Sequence, residues 1–274
     1  MGKAKDILLK PIDAKTANNF VKRVHYSGKY YRNSTIHIGV YYRGNLEGVI
    51  QLGPSMNIRA MIPLVRNTKW NEFLELNRLA FTDVLPRNSE SRAISIAMKL
   101  IGKYAPHVKW IVSFADGTQC GDGTIYRASG FILTQIKPNQ SMVRMPGGEV
   151  VAKIVFGLKY GRDSKNNILV RYGKTPAESL SAFLKRVGAE VLPGFQLRYI
   201  YFLDPSYRER LTVPELPFSE IERMGAGMYK GIKRGRGEEV NAPGTNLETG
   251  GSNPTRPLLD MTGGEPELID NLTS

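Results

Sequence analysis

The apolar side chains recur in short segments, some at helical and some at strand spacing, separated by polar turns. Ala17, Phe20, Val21 and Val24 mark one face of an amphipathic helix that starts at Asp13 or Ala14 and ends at a loop holding His25, Tyr26 and Ser27. Ile36 to Tyr42 and Leu46 to Leu52 are β-rich, and Arg43-Gly44-Asn45 joins them as a hairpin. Leu74 to Phe81 alternates, which predicts a strand with Leu74, Leu76 and Arg78 on one face and Glu75, Asn77 and Leu79 on the other. Pro86 closes its extension. Ser89 is placed to cap a helix carrying Ile94, Ala97, Met98 and Ile101 at i, i+3, i+4 and i+7, with Pro106 just past its end. Trp110 to Ala115 is a continuous apolar run, as in a strand buried on both faces. A loop with Gly117, Gly121 and Gly123 leads into a short helix, Thr124 to Ser129, stopped by Gly130, and Phe131 to Ile136 is a further strand.

Beyond residue 137 the pattern thins. Val143 to Met145 and Val150 to Phe156 flank Gly147-Gly148 and predict a hairpin. Thr175-Pro176 reads as the cap and first position of a helix carrying Leu180, Phe183, Leu184 and Val187, and Leu197 to Leu203 reads as a strand. The succession of helices and strands describes an α+β (α/β layered) domain: a mixed sheet flanked by helices, with C-terminal additions. The expected division is a core over 1–136, a C-terminal part of the same domain over 137–234 with an inserted hairpin and helix, and a tail over 235–274.

Charge separates the tail from the body. The chain has 274 residues with 38 Lys+Arg and 25 Asp+Glu, a formal +13. From Gly235 to Ser274 there are two basic residues and seven acidic ones, a net of −5, so the first 234 residues carry +18. The tail has no aromatic residue and is rich in Gly, Pro, Asn and Thr, a composition that buries too little apolar surface to offset its ordering entropy, and it is expected to be disordered. No apolar run approaches the roughly 18 residues that a membrane span requires. The single cysteine, Cys120, excludes a disulfide framework. Met1 to Lys10 lacks an apolar signal-peptide core, so the expected setting is a reducing cytoplasm. A body this basic fits a partner that is a polyanion.

The order from Leu74 to Ile136 is similar to the core of GCN5-related N-acyltransferases, in which the fourth strand splays from the fifth and the acyl donor lies in the gap. Particular segments resemble something narrower. His25-Tyr26-Ser27-Gly28, Trp70-Asn71-Glu72-Phe73, Leu76-Asn77-Arg78, the run from Pro86 to Arg92, and above all the run from Phe114 to Phe131 (FADGTQCGDGTIYRASGF) look like the phage Mom proteins. That resemblance covers about residues 20 to 137. It implies an enzyme that converts adenine in phage DNA to N6-carbamoylmethyladenine, shielding the DNA from restriction in the cytoplasm of a bacterial host cell.

Such chemistry makes demands that residues can be matched to. The N6 lone pair of adenine is delocalised into the ring, so the base must be extruded, its proton removed, and the oxyanion on the donor carbonyl stabilised. Asp116 stands at the carboxyl end of a buried strand beside glycines, where such sheets place reactive groups; the bland alternative is a loop-capping aspartate. Tyr126 is matched to the tyrosine that serves the leaving group in many enzymes of the fold, or else is a core tyrosine. His25 and Tyr26 follow the first helix on the acceptor side, His25 as base or ligand. His25, Tyr26, Asp116 and Tyr126 together make an N/O set suited to iron. Cys120, an alternative acyl-accepting thiol, reads as a bystander.

For the donor, Arg78, Arg87, Ser89, Ser91 and Arg92 lie on or beside the expected donor loop. Acyl-CoA enzymes of this fold carry Gln/Arg-x-x-Gly-x-Gly/Ala there, with glycines that open the backbone to pyrophosphate. Arg87-Asn88-Ser89-Glu90-Ser91-Arg92-Ala93 has no glycine and adds an acid. Acetyl transfer also supplies no nitrogen to the product, whereas a glycyl group has the atoms of the carbamoylmethyl substituent. Glycyl-tRNA followed by rearrangement is therefore the favoured donor and acetyl-CoA the alternative. Double-stranded DNA, and tRNA with it, are expected against Lys159, Arg162, Arg171, Lys230, Lys233, Arg234 and Arg236, placed by charge alone. Two other readings compete: an acyl-CoA-dependent acetyltransferase of a protein or small amine, and a nucleic-acid-binding module without catalysis.

Overall fold

The computed structural model describes residues 3–118, 121–153, 156, 168–229 and 232–233. Strand β1 (Leu8–Pro11) precedes helix α1 (Ala14–Val24), which Asp13 caps by accepting the Thr16 N–H at 2.9 Å. The hairpin β2 (Ile36–Tyr42) and β3 (Asn45–Gly53) follows, then a short helix α2 (Ile58–Met61), strand β4 (Phe73–Phe81), the long helix α3 (Ser89–Tyr104) and strand β5 (Trp110–Asp116). Helix α4 (Thr124–Arg127) leads to β6 (Ile132–Pro138). An excursion through β7 (Met142–Arg144), β8 (Val150–Ala152), α5 (Ile168–Arg171), α6 (Leu180–Arg186) and β9 (Glu190–Val191) then returns to β10 (Phe195–Phe202). Helix α7 (Ser219–Arg223) and the small pair β11 (Met228–Tyr229) and β12 (Ile232–Lys233) complete the described chain.

One seven-stranded sheet organises the molecule in the order β1-β2-β3-β4-β5-β10-β6. Every pairing in it is antiparallel except β4 with β5. The α+β expectation of a mixed sheet flanked by helices therefore holds. Helix α3 buries Ala93, Ile94, Ala97, Met98 and Ile101 on one face, in a cluster with Ile50, Leu52, Leu76 and Ile111. Helix α1 buries Ala17, Phe20 and Val21 on the other face, against Val49 and Ala80. Farther along that second face, Leu64, Val65, Phe73, Trp110 and Tyr207 form a separate cluster.

The parallel pair is short. Phe73, Leu74 and Glu75 pair with Trp110, Ile111 and Val112, after which β4 runs on to Phe81 and β5 to Asp116 with no pairing between them. A β-bulge accompanies this splay: Gln51 pairs with Arg78 but Leu52 with Leu76, so Asn77 has no partner across the β3–β4 ladder. A bulge bends its strand and increases its twist. It also switches faces. Leu76 and Leu79 point toward α3, while Arg78, opposite a Gln51 that donates to Asn18 of α1, points the other way. The simple alternation read from the sequence put Leu76 and Arg78 on one side, and the inserted residue is why they are not.

Several local expectations are corrected. The N-cap of α3 is Asn88, in the left-handed conformation at φ 68°, and Ser89 is the first helical residue. The later helix begins at Leu180, capped by Ser179, because the Ser179 hydroxyl accepts the Ala182 N–H at 3.1 Å whereas Thr175 closes only a turn to Glu178. Strand β1 has no clear signal in its sequence; it exists because β2 offers it an edge. Strand β10 lies between β5 and β6, so the sheet is completed by residues beyond 136. The excursion from β7 to β9 has its own small core of Val143, Met145, Phe183 and Leu184. The tail over 235–274 lies outside the described residues.

Candidate active site at the splayed strands

The gap between β4 and β5 has two sides with different chemistry. On the α1 side, the chain leaving α1 folds back over the bulge. Gly53 permits this, since a side chain there would overlap Asn33 O and the Ser34 Cα. The Ser34 hydroxyl lies 3.0 Å from Asn77 Oδ1, and Arg78 Nε donates to Lys29 O at 2.9 Å. A second Arg78 nitrogen donates to Asn77 O at 2.6 Å. The half-buried guanidinium is thus held at the bulge by two main-chain carbonyls.

His25 is the C-cap of α1 and is half-buried. Its Nδ1 accepts the Ser27 N–H at 3.2 Å and lies 2.8 Å from the Ser27 hydroxyl. An Nδ1 that accepts from a backbone N–H leaves the proton of the neutral ring on Nε2, which makes Nε2 a donor. Burial, and then the Arg78 charge, lower its pKa to about 4. The Tyr26 ring lies 4.1 Å from the imidazole and is largely exposed.

Glu75 shares this side and was not singled out from the sequence. Burial pushes its carboxyl up from the ordinary value, against the Ser55 hydroxyl, the Asn77 amide, Arg78 and the Met56 N–H, which favour the anion. Tyr31 lies over Arg78 at 6.0 Å and is raised by burial and by Glu75. Its hydroxyl is buried without a hydrogen bond of normal geometry. The signal for this cluster in the sequence is only an acidic residue inside a strand pattern. The fold-back that surrounds it is a long-range contact that periodicity does not reveal.

Asp116 ends β5 on the same side, half-buried, with Oδ1 accepting the Thr118 N–H at 2.9 Å and its carbonyl accepting the Gly121 N–H at 3.2 Å. The bland role as a loop organiser is therefore filled by one of its oxygens. The glycine-rich loop is fixed farther on by Asp122, which is buried and ion-paired with Arg127 at 3.1 Å. Tyr199 donates its hydroxyl to Asp122 O. Gly123, at φ +84°, lies so close to the Tyr199 ring that any Cβ would overlap it. Gln119 and Cys120 lie outside the described residues.

The α3 side holds the candidate donor groups. Ser89 is fully buried with no partner for its hydroxyl among the described residues, as is Ser113 on β5. Ser91 is half-buried, and its carbonyl accepts from the Ser129 hydroxyl at 3.2 Å, tying α3 to the turn after α4. Arg87 and Arg92 are exposed at the helix N-terminus. Asn88 supplies a left-handed residue where a glycine is absent but keeps a side chain in the way of close approach. Tyr126 is buried on this side, its ring 5.4 Å from Phe131 and 5.3 Å from Tyr199.

The sequence-derived set is therefore divided. His25, Tyr26 and Arg78 are brought together, Asp116 lies on the same face, and Tyr126, Ser89 and Ser91 lie on the other. For iron the fit is poor. Tyr126 is packed among core rings away from the face of His25 and Asp116, and the His25 Nδ1 is already engaged. Among the described residues no group of three or more His, Cys, Asp or Glu could hold a metal. Of the residues assigned to nucleic acid by charge, Arg171 is ion-paired with Glu149. Lys159, Arg162, Lys230, Arg234 and Arg236 lie outside the described residues, and only the backbone of Lys233 is described, in β12.

A mixed sheet whose fourth and fifth strands pair in parallel and then part, with a bulge on the fourth, defines an acyltransferase-like fold of the GCN5-related kind. Residues 6–220 match the model of the Mom protein family, and the chain belongs to that family. It is 34% identical over 211 residues to the methylcarbamoylase mom of Escherichia phage Mu, covering 76% of this chain and 80% of that protein. Solved structures similar to it include the ribosomal-protein-S18-alanine N-acetyltransferase of Escherichia coli (7% identity, 72% of this chain and 94% of that one, TM-score 0.38). Another is the spermidine/spermine N-acetyltransferase SpeG of Vibrio cholerae (8% identity, 76% and 98%, TM-score 0.39). Scores this low carry no argument about substrate. Among the described residues no helix is long and apolar enough to cross a membrane.

Proposed function

We propose that this chain modifies N6 of adenine in double-stranded DNA to N6-carbamoylmethyladenine, as a phage enzyme acting in the cytoplasm of its bacterial host. The observation that carries the reading is the open β4–β5 gap with polar groups on both sides, in a chain that belongs to the Mom family. The extruded adenine enters from the α1 side, where His25 Nε2–H and Tyr26 contact the base. Asp116 takes the N6 proton, and Arg78 faces the donor carbonyl as negative charge develops on its oxygen.

The donor enters from the α3 side. Arg87 and Arg92 meet phosphate at the helix N-terminus, and Ser91 contacts the donor's terminal group, with Ser89 buried beneath it. With glycyl-tRNA, N6 attacks the ester carbonyl, the bond to the ribose oxygen breaks, and that oxygen leaves as a hydroxyl, Tyr126 assisting its protonation. The resulting N6-glycyl group is a constitutional isomer of carbamoylmethyl, so a rearrangement completes the product with no added atom. Acetyl-CoA, the alternative donor, would need a separate nitrogen source. DNA from cells expressing the protein, digested to nucleosides and analysed by mass spectrometry, should contain an adenosine heavier by one carbamoylmethyl group, lost with Asp116→Ala. Soluble wild-type protein that leaves all adenine unmodified would overturn the reading.

A further inference from the structure

The connection from β3 to β4, residues 54–72, is accounted for only in part by the core. Ile58, Met61, Ile62, Leu64 and Val65 pack against the Trp110 cluster. In the Trp70-Asn71-Glu72-Phe73 segment, Glu72 accepts the Lys69 N–H at 2.9 Å and lies 3.2 Å from the Tyr207 hydroxyl, and Phe73 stacks on Trp110 at 4.5 Å. Trp70 itself is 70% exposed, and Met56 is 71% exposed. Arg59, Arg66 and Lys69 are exposed as well, none of the described carboxylates forms an ion pair with them, and the one acid of the connection, Glu72, is engaged by the Lys69 N–H and the Tyr207 hydroxyl. The connection is thus a cationic segment bearing two uncovered large apolar side chains. Its start lies at the gap, since Gly53 at the end of β3 pairs with Glu75 of β4, so that Ser55 and the Met56 main chain follow directly beside the Glu75 carboxylate.

We propose that this connection is the duplex-binding surface, with Arg59, Arg66 and Lys69 on the DNA phosphates and Met56 filling the space in the base stack left by the extruded adenine. Charge complementarity selects the occupant: three exposed cations against a single acid, Glu72, whose carboxylate is already engaged, suit a polyanion. Exposed apolar side chains beside them suit the unstacked step of a bent or opened duplex. The Gly53–Glu75 pairing sets Met56 at the mouth of the gap, where a wedge must stand to act on the base entering it. Trp70 lies against the sugar-phosphate edge of the same strand. This inference rests on the DNA-modifying reading, and its test is built to fail separately.

The experiment uses the full chain in four forms: wild type, the triple variant Arg59→Ala/Arg66→Ala/Lys69→Ala, Met56→Ala and Met56→Leu. Each is measured for thermal stability, for duplex affinity against salt, for tRNA affinity against salt, and for modified adenine in cellular DNA. All four should melt alike, because the side chains are exposed. The triple variant should lower the log-affinity against log-salt slope on duplex by roughly three, about one per phosphate contact, and leave the slope on tRNA unchanged. Met56→Ala should cut modification of cellular DNA about tenfold, because extrusion of the target base then costs more; Met56→Leu should retain most of it. An unchanged duplex slope, or a loss confined to tRNA, overturns the surface. Met56→Ala modifying cellular DNA like wild type overturns the wedge. If wild type yields no modified adenine but the triple variant still loses its duplex slope, the modification reading fails and the surface stands.

Discussion

The imidazole of His25 gives the most quantitative test of the α1 side. Burial, followed by the nearby Arg78 charge, takes its pKa from 6.5 to about 4. A displacement of that size corresponds to about 3 kcal/mol between the two protonation states, with some of it recovered by solvent at a half-buried ring. The sign follows from linkage. The folded chain binds fewer protons at this site than the unfolded chain between pH 6.5 and 4, so the contribution to stability is full above pH 6.5 and is lost as pH falls toward 4. His25→Gln should remove that part of the pH dependence, leaving a flatter denaturant-midpoint profile over the same interval. The protein has three histidines, so heteronuclear NMR resolves each titration directly. The His25 ring should stay neutral at pH 6 with its proton on Nε2. Arg78→Met should raise its pKa only in part, since burial is the larger cause. A His25 that titrates near 6.5, or that carries its proton on Nδ1, would refute both the fold-back over the bulge and the donor role assigned to Nε2.

Glu75 behaves in the opposite sense: its folded pKa is raised, so the folded chain holds the extra proton and stability falls as pH rises from the unfolded value of 4.5 through the folded one. Glu75→Gln should abolish that decline in chemical-denaturation profiles and leave stability at pH 7 equal or higher. Ser89→Ala should stabilise the protein by about 1 kcal/mol in the same assay, because a buried hydroxyl that has no partner among the described residues is removed. Gly123→Ala should destabilise by about 1–3 kcal/mol in calorimetry, since φ +84° disfavours any side chain and the new Cβ meets the Tyr199 ring.

Much of the sheet was legible because its strands announce themselves by local pattern. The β2–β3 hairpin, the apolar run of β5 and the glycine that stops α4 are local features, and local chemistry decides them. The bulge at Asn77 was not legible: one unpaired residue leaves no mark in the sequence, yet it reverses the side on which Arg78 points. Sheet order was hidden for a related reason. Strand β10 is separated from β6 by the whole β7–β9 excursion and still lies between β5 and β6, a placement set by tertiary pairing. In the site, Asp116, His25 and Arg78 stood out by residue type and motif. Glu75, Tyr31 and Ser113 did not, because their significance comes from burial and from the absence or scarcity of partners. Charge alone also could not show that Arg171 forms an ion pair with Glu149.

The central claim is tested most directly by purified protein, duplex DNA and tRNA charged with glycine labelled at carbon and nitrogen, followed by mass spectrometry of the deoxynucleosides. Modified deoxyadenosine carrying both labelled carbons and the labelled nitrogen, with none formed from acetyl-CoA and unlabelled ammonia, is the predicted result. Unmodified adenine under every donor condition, from protein that is folded and binds DNA, would contradict the account.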